Sequence, residues 1–146
     1  MKPLKMLFVI VLELLLISST ASAADFDWIK GFNLKAEADP SGFRARLEAR
    51  FQVGDIEIRT VLGNAKNPAD AYILLRLGEM SNQPIGHVIE KYNANKGKGR
   101  GVLAKSLGIK PGSKDFHALK QGQDLYVDKD RGKDKVKSKG KGKRRK

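Results

Sequence analysis

Residues 67–80 read NPADAYILLRLGEM. The Asn67 side chain is suited to accept a hydrogen bond from a free amide of the turn that follows. Pro68 fits the first helical position, where no N–H is needed, and Asp70 sits in the first turn. Ala71, Leu74, Leu75 and Leu77 then make an apolar side, so the pattern predicts a helix running to about Met80.

The same logic extends outward from this stretch. Gln83-Pro84 opens another helix, in which Ile85, Val88, Ile89 and Tyr92 repeat at i, i+3, i+4 and i+7. On the other side, Gly54-Asp55 ends one element and caps the next, with Ile58, Val61 and Leu62 on one face. Asp39-Pro40 is a further cap-and-proline start. Beyond it Phe43, Leu47 and Phe51 lie one helical turn apart, yet Phe43-Ala45-Leu47-Ala49-Phe51-Val53 also alternates as a strand would. Helix is favoured, because Ala, Arg, Leu and Glu are good helix formers and no β-branched residue precedes Val53. Towards the C-terminus, Val102, Leu103 and Leu107 define a short helix stopped by Gly108. Lys110-Pro111-Gly112 is a turn, and Ser113 caps a last helix carrying Phe116 and Leu119. Residues 24–38 hold aromatic and apolar side chains without a clean period and are read as a lead-in. The expectation is an all-α fold, a compact bundle of five or six short helices over 39–127.

The two ends of the chain have a different character. Lys2 and Lys5 precede an apolar run, Met6 to Ile17, and Ala21-Ser22-Ala23 is a small-x-small cleavage pattern. Residues 1–23 thus read as a signal peptide cut between Ala23 and Ala24, despite Glu13 within the run. The run is shorter than the roughly 20 residues a membrane span needs. The expected location is periplasmic or secreted. At the other end, residues 128–146 carry 11 Lys or Arg against 3 Asp, a net +8, whereas residues 24–127 carry 16 basic and 12 acidic residues, a net +4. With one aliphatic residue and no aromatic, this polybasic tail has too little to bury to offset its ordering entropy, and disorder is expected.

The absence of cysteine removes disulfides, thiol catalysis and Cys-ligated zinc. His87 and His117 are the only histidines, and neither has a metal-ligand partner at close spacing. No catalytic constellation is visible, no cofactor is implied, and the expectation is a protein that is not an enzyme. Asn95-Lys96-Gly97-Lys98-Gly99-Arg100-Gly101 is the segment with chemical potential. Glycines there can turn successive N–H groups to one point, and Lys96, Lys98, Arg100 and Lys105 make an anion site physically reasonable. A soluble connector between helices is the plainer reading of the same residues. Gly99 to Ser106, GRGVLAKS, misses the phosphate-loop pattern because Ala104 replaces its second glycine, and it follows a helix rather than a strand.

Leu103-Ala104-Lys105-Ser106-Leu107-Gly108-Ile109 is similar to the first helix and turn of a helix-turn-helix, but Phe116 and Leu119 come about two residues late. The tail, ending in Arg144-Arg145-Lys146, suits electrostatic binding of polyanions such as lipopolysaccharide, acidic polysaccharide or extracellular nucleic acid. It also suits a peripheral position on an anionic membrane surface. A solvated tail with no dedicated partner is the plain alternative, and missing aromatics argue against base stacking.

The string LGIKPGS (107–113) followed by FHALK (116–120), with GKGRG (97–101) and PADAY (68–72) before it, resembles a group of small exported bacterial proteins of unknown function. The resemblance covers roughly 39–122. In that group a tryptophan commonly stands at the place of Arg100, so an aromatic role in the glycine loop does not carry over. The resemblance implies export and a compact helical domain and supplies no activity. The reading that results is an exported helical protein that binds anionic envelope or extracellular polymers without catalysis. A nucleic-acid-associated protein and an envelope protein–protein adaptor are the alternatives.

Overall fold

Asparagine, aspartate, serine and proline set where four of the described helices begin. In the computed structural model, which describes residues 25–127, seven helices follow one another: α1 Ile29–Ala38, α2 Pro40–Phe51, α3 Asp55–Asn64, α4 Pro68–Ser81, α5 Ile85–Ala94, α6 Arg100–Ser106 and α7 Lys114–Gln121. The described residues contain no strand, and no helix among them is long and apolar enough to cross a membrane. The segment read as a signal peptide, with Ala23 and Ala24, and the basic tail with Arg144, Arg145 and Lys146 lie outside the described residues.

The expectation of five or six helices is one short. Residues 29–38, read as a lead-in, form α1, with Phe32 and Ala36 one turn apart on its buried side. Gly31, Asn33 and the exposed Leu34 between and beside them blur that period in the sequence. The ambiguity at 43–53 resolves to helix for a physical reason. Phe43 and Leu47 are buried while Ala45 and Ala49 face outward, so the period of about 3.6 prevails over the period of 2.

α4 is the axis of the molecule, and α1, α2, α3, α5 and α7 all pack against it. Tyr72 and Ile73 are buried along with the expected Ala71, Leu74, Leu75 and Leu77, so the helix is apolar nearly all round, as a central helix must be. Its first turn is held from two directions. Asn67 Oδ1 accepts from the Asp70 N–H at 2.9 Å, and Asn33 Oδ1 on α1 accepts from the Ala69 N–H at 2.8 Å. These bonds occupy amides that a helix start otherwise leaves without partners. Replacing Asn67 with Ala is expected to cost about 1 kcal/mol in urea-induced unfolding, the usual loss for a missing N-cap.

The beginning and the end of the described chain are fastened to each other. The Phe26 N–H donates to Lys120 O at 2.8 Å, Trp28 Nε1 to Leu119 O at 3.0 Å, and Lys120 Nζ to Asp25 at 3.0 Å. Trp28, Phe32, Tyr72, Phe43, Phe51 and Tyr126 then form a run of ring contacts with centroids 5.2–5.7 Å apart, most of them edge to face. Tyr126, in the turn after α7, carries Lys35 and Arg46 over its ring at 5.6 and 5.3 Å.

Candidate functional site

Where the end of α3, the start of α4, the end of α5 and the glycine loop meet, they enclose an open cleft of about 680 Å³. This volume lies within the range of small-molecule sites. Asp70, in the first turn of α4, is the buried charge of this region, only 9 % exposed. Three donors hold it: Arg100 Nη2 on Oδ1 at 2.8 Å, and on Oδ2 the Tyr92 hydroxyl at 3.2 Å and Asn67 Nδ2 at 3.4 Å. The Tyr92 hydroxyl in turn accepts from the Lys66 N–H at 3.3 Å. Burial, with the Asp70 charge beside it, raises the Tyr92 pKa, so the phenol keeps its proton and remains a donor. Asn64 and Asn95 add amides to the wall, Lys66 and Lys96 line it with exposed side chains, and Leu103 supplies an apolar contact.

This arrangement redistributes the four cations proposed for the glycine loop. Arg100 is committed to Asp70 and stacks over the Phe26 ring at 5.0 Å, and its Nε is buried without an acceptor among the described residues. Lys96 lines the cleft, whereas Lys98 and Lys105 are exposed and do not line it. The loop itself is a turn. Gly97 and Gly99 take φ values of 79° and 90°, and the Lys98 N–H donates to Asn95 O at 3.0 Å. That bond uses an amide the expected anion nest would need. At Ala104, where a phosphate loop requires glycine, the side chain is fully buried in α6.

No protein-family model, curated protein or solved structure matches this chain. The chemistry of the site therefore rests on its own residues. His87 faces Glu90 on the same helix at 3.6 Å, and His117 is exposed on α7. Neither lines the cleft. Among the described residues no group of three His, Cys, Asp or Glu side chains is placed to hold a metal ion. Seven residues, Leu107 to Ser113, separate α6 from α7. The helix-turn-helix of the DNA-binding type uses a turn of about 3–4.

In the sequence Asp70 reads as a first-turn charge and Tyr92 as a member of an apolar stripe. Both roles hold, and the fold adds a third by bringing them to Arg100 across sequence separations of 30 and 22 residues from Asp70. Asparagine at 64, 67 and 95, at or beside helix ends, was the available signal.

A second polar network lies across the molecule. Arg50 on α2 bonds both Glu79 on α4, at 3.1 and 3.3 Å, and Asp124, at 2.7 Å. Asp124 also accepts from the Tyr72 hydroxyl at 2.7 Å, and Arg76 pairs with Glu79. Burial opposes ionisation of Glu79 and Asp124, yet these donors outweigh it and hold both carboxyls below their ordinary values. Depressed folded-state values mean that their contribution is complete above the unfolded carboxylate range, about pH 4, and is lost as pH falls through the folded values. The midpoint of thermal unfolding is accordingly expected to hold from neutrality to about pH 5 and fall below pH 4. In the double variant Glu79→Gln, Asp124→Asn the fall is expected to be shallower. An equally steep fall would remove these carboxyls as its source.

Proposed function

We propose that this chain is an exported, non-enzymatic binder of anionic envelope or extracellular polymers, drawn to them by its C-terminal tail. The partition of charge carries this reading, with a net +8 in residues 128–146 against +4 in residues 24–127. A short segment of that density attracts phosphate- or carboxylate-bearing polymers without a shaped site. The last described residues add support. Tyr126 sits under Lys35 and Arg46, two cations for which no carboxylate partner is found among the described residues.

The test is binding to lipopolysaccharide, heparin and DNA across a salt series, for residues 24–146 and for the same chain without 129–146. Affinity for all three is expected to fall as salt rises and to weaken sharply without the tail. Affinity indifferent to both salt and truncation would refute the proposal. Purified periplasmic or medium fractions are expected to yield a chain beginning at Ala24.

A further inference from the structure

The cleft around Asp70 is too elaborately built for a connector, and its chemistry is more selective than that of a tail. We infer that it holds one acidic sugar unit of an anionic glycan. Hydroxyl groups of that unit face Asp70, Tyr92 and the amides of Asn64 and Asn95, and its carboxylate faces Lys66 and Lys96. This inference rests on the polymer-binding reading and names the polymer class.

Three observations select this ligand over its competitors. Firstly, several backbone amides near the cleft are already used. Ala69 and Asp70 N–H groups go to Asn33 and Asn67, the Lys66 N–H to Tyr92, and the Lys98 N–H to Asn95. Those amides are closed to an anion, and the free cations on the lining are Lys66 and Lys96. Secondly, the most buried polar group is a carboxylate, which repels an anion but accepts from hydroxyls. Arg100, Tyr92 and Asn67 hold it in one orientation, and such preorganisation lowers the cost of binding. Thirdly, exposed Lys66 and Lys96 stand on the lining, beside apolar surface that includes Leu103 and the Tyr92 ring. A buried acceptor within and cations outside describe a ligand that carries both hydroxyls and a negative charge. The cleft is open, so one unit can sit in it while the rest of the polymer passes outside.

The full chain from residue 24 is titrated by calorimetry at about 0.15 M salt, where long-range attraction is screened beyond about 8 Å. The probes are tetragalacturonate, its fully methyl-esterified neutral form, inorganic phosphate, and long polygalacturonate. Two variants accompany it: Lys66→Gln with Lys96→Gln, and a chain whose 11 tail Lys and Arg residues are all Gln. Tetragalacturonate is expected to bind the parent and the tail variant alike, and to lose about tenfold or more in the lysine pair. Shifts of the Asn64, Asn95, Gly97 and Gly99 amide resonances should accompany that binding.

Equal binding of the neutral ester would overturn the acidic requirement, and equal competition by phosphate would overturn the sugar. Tetragalacturonate binding lost in the tail variant but kept in the lysine pair would overturn the cleft while leaving the tail reading intact. Failure of long polygalacturonate to bind any form at low salt would remove the polymer reading itself. The two lysines are exposed, so their replacement is expected to leave the unfolding midpoint unchanged, which separates lost binding from lost folding.

Discussion

Replacing Phe32 with Ala is expected to destabilise the protein more than any other change considered, by about 3–5 kcal/mol. Phe32 is 2 % exposed, and its ring meets Trp28, Phe43, Tyr72 and Tyr126 at 5.2–5.7 Å. Truncation to a methyl group forfeits the transfer energy of the ring. It also leaves a void that four aromatic neighbours, each tied to a different segment, are poorly able to fill. For a domain of this size the whole margin is about 5–15 kcal/mol, so much or all of it goes. The measurement is urea unfolding followed by circular dichroism at 222 nm, since Trp28 touches the altered site and its fluorescence would report local change. Leu34→Ala, on the same helix but 61 % exposed, serves as the control and is expected to stay within about 0.5 kcal/mol. A cost for Phe32→Ala below about 1 kcal/mol would mean that α1 does not belong to the core.

The second large effect falls on Asp70. Its removal deprives Arg100, Tyr92 and Asn67 of one shared acceptor. Breaking a buried pair by deleting one partner costs about 3–5 kcal/mol. The Arg100 side chain is 34 % exposed and can recover some hydration, which lowers the expected cost of Asp70→Ala to about 2–3 kcal/mol. Tyr92→Phe removes one neutral donor and is expected to cost about 1 kcal/mol. The decisive comparison is a double-mutant cycle. If Asp70 acts through Arg100, the Asp70→Ala, Arg100→Ala double variant should be less destabilised than the sum of the two single variants. Strict additivity would mean that the ion pair contributes nothing and that Asp70 matters through Tyr92, Asn67 and its first-turn charge on α4.

Helix positions were written locally, and that is why they could be read. Asn67-Pro68, Asp39-Pro40 and Ser113 act within one turn of themselves, and each caps the helix it precedes. The strand-like alternation of 43–53 was settled by burial, a tertiary quantity, although the helix-forming residues there already leaned the same way. α1 escaped notice because its buried pair, Phe32 and Ala36, is flanked by a glycine, an asparagine and an exposed leucine. The cleft was less legible still. Asp70, Tyr92 and Arg100 come from three helices, and no local pattern states that they converge. Arg100 has no acidic residue near it in the sequence, and its partner lies 30 residues away.

The fastening of residues 25–28 to residues 119–120 has a consequence for how the molecule comes into being. The Phe26 N–H and Trp28 Nε1 find their acceptors in α7, and Phe116 and Leu119 are part of the core. A nascent chain that has not yet released this last helix from the ribosome therefore lacks both the lid of its core and the clasp on its first turn. It reaches its native form late, after nearly all of it has been made, because the contacts that close it join opposite ends of the sequence. On the export reading proposed above, that delay keeps the chain in a threadable state for as long as synthesis lasts.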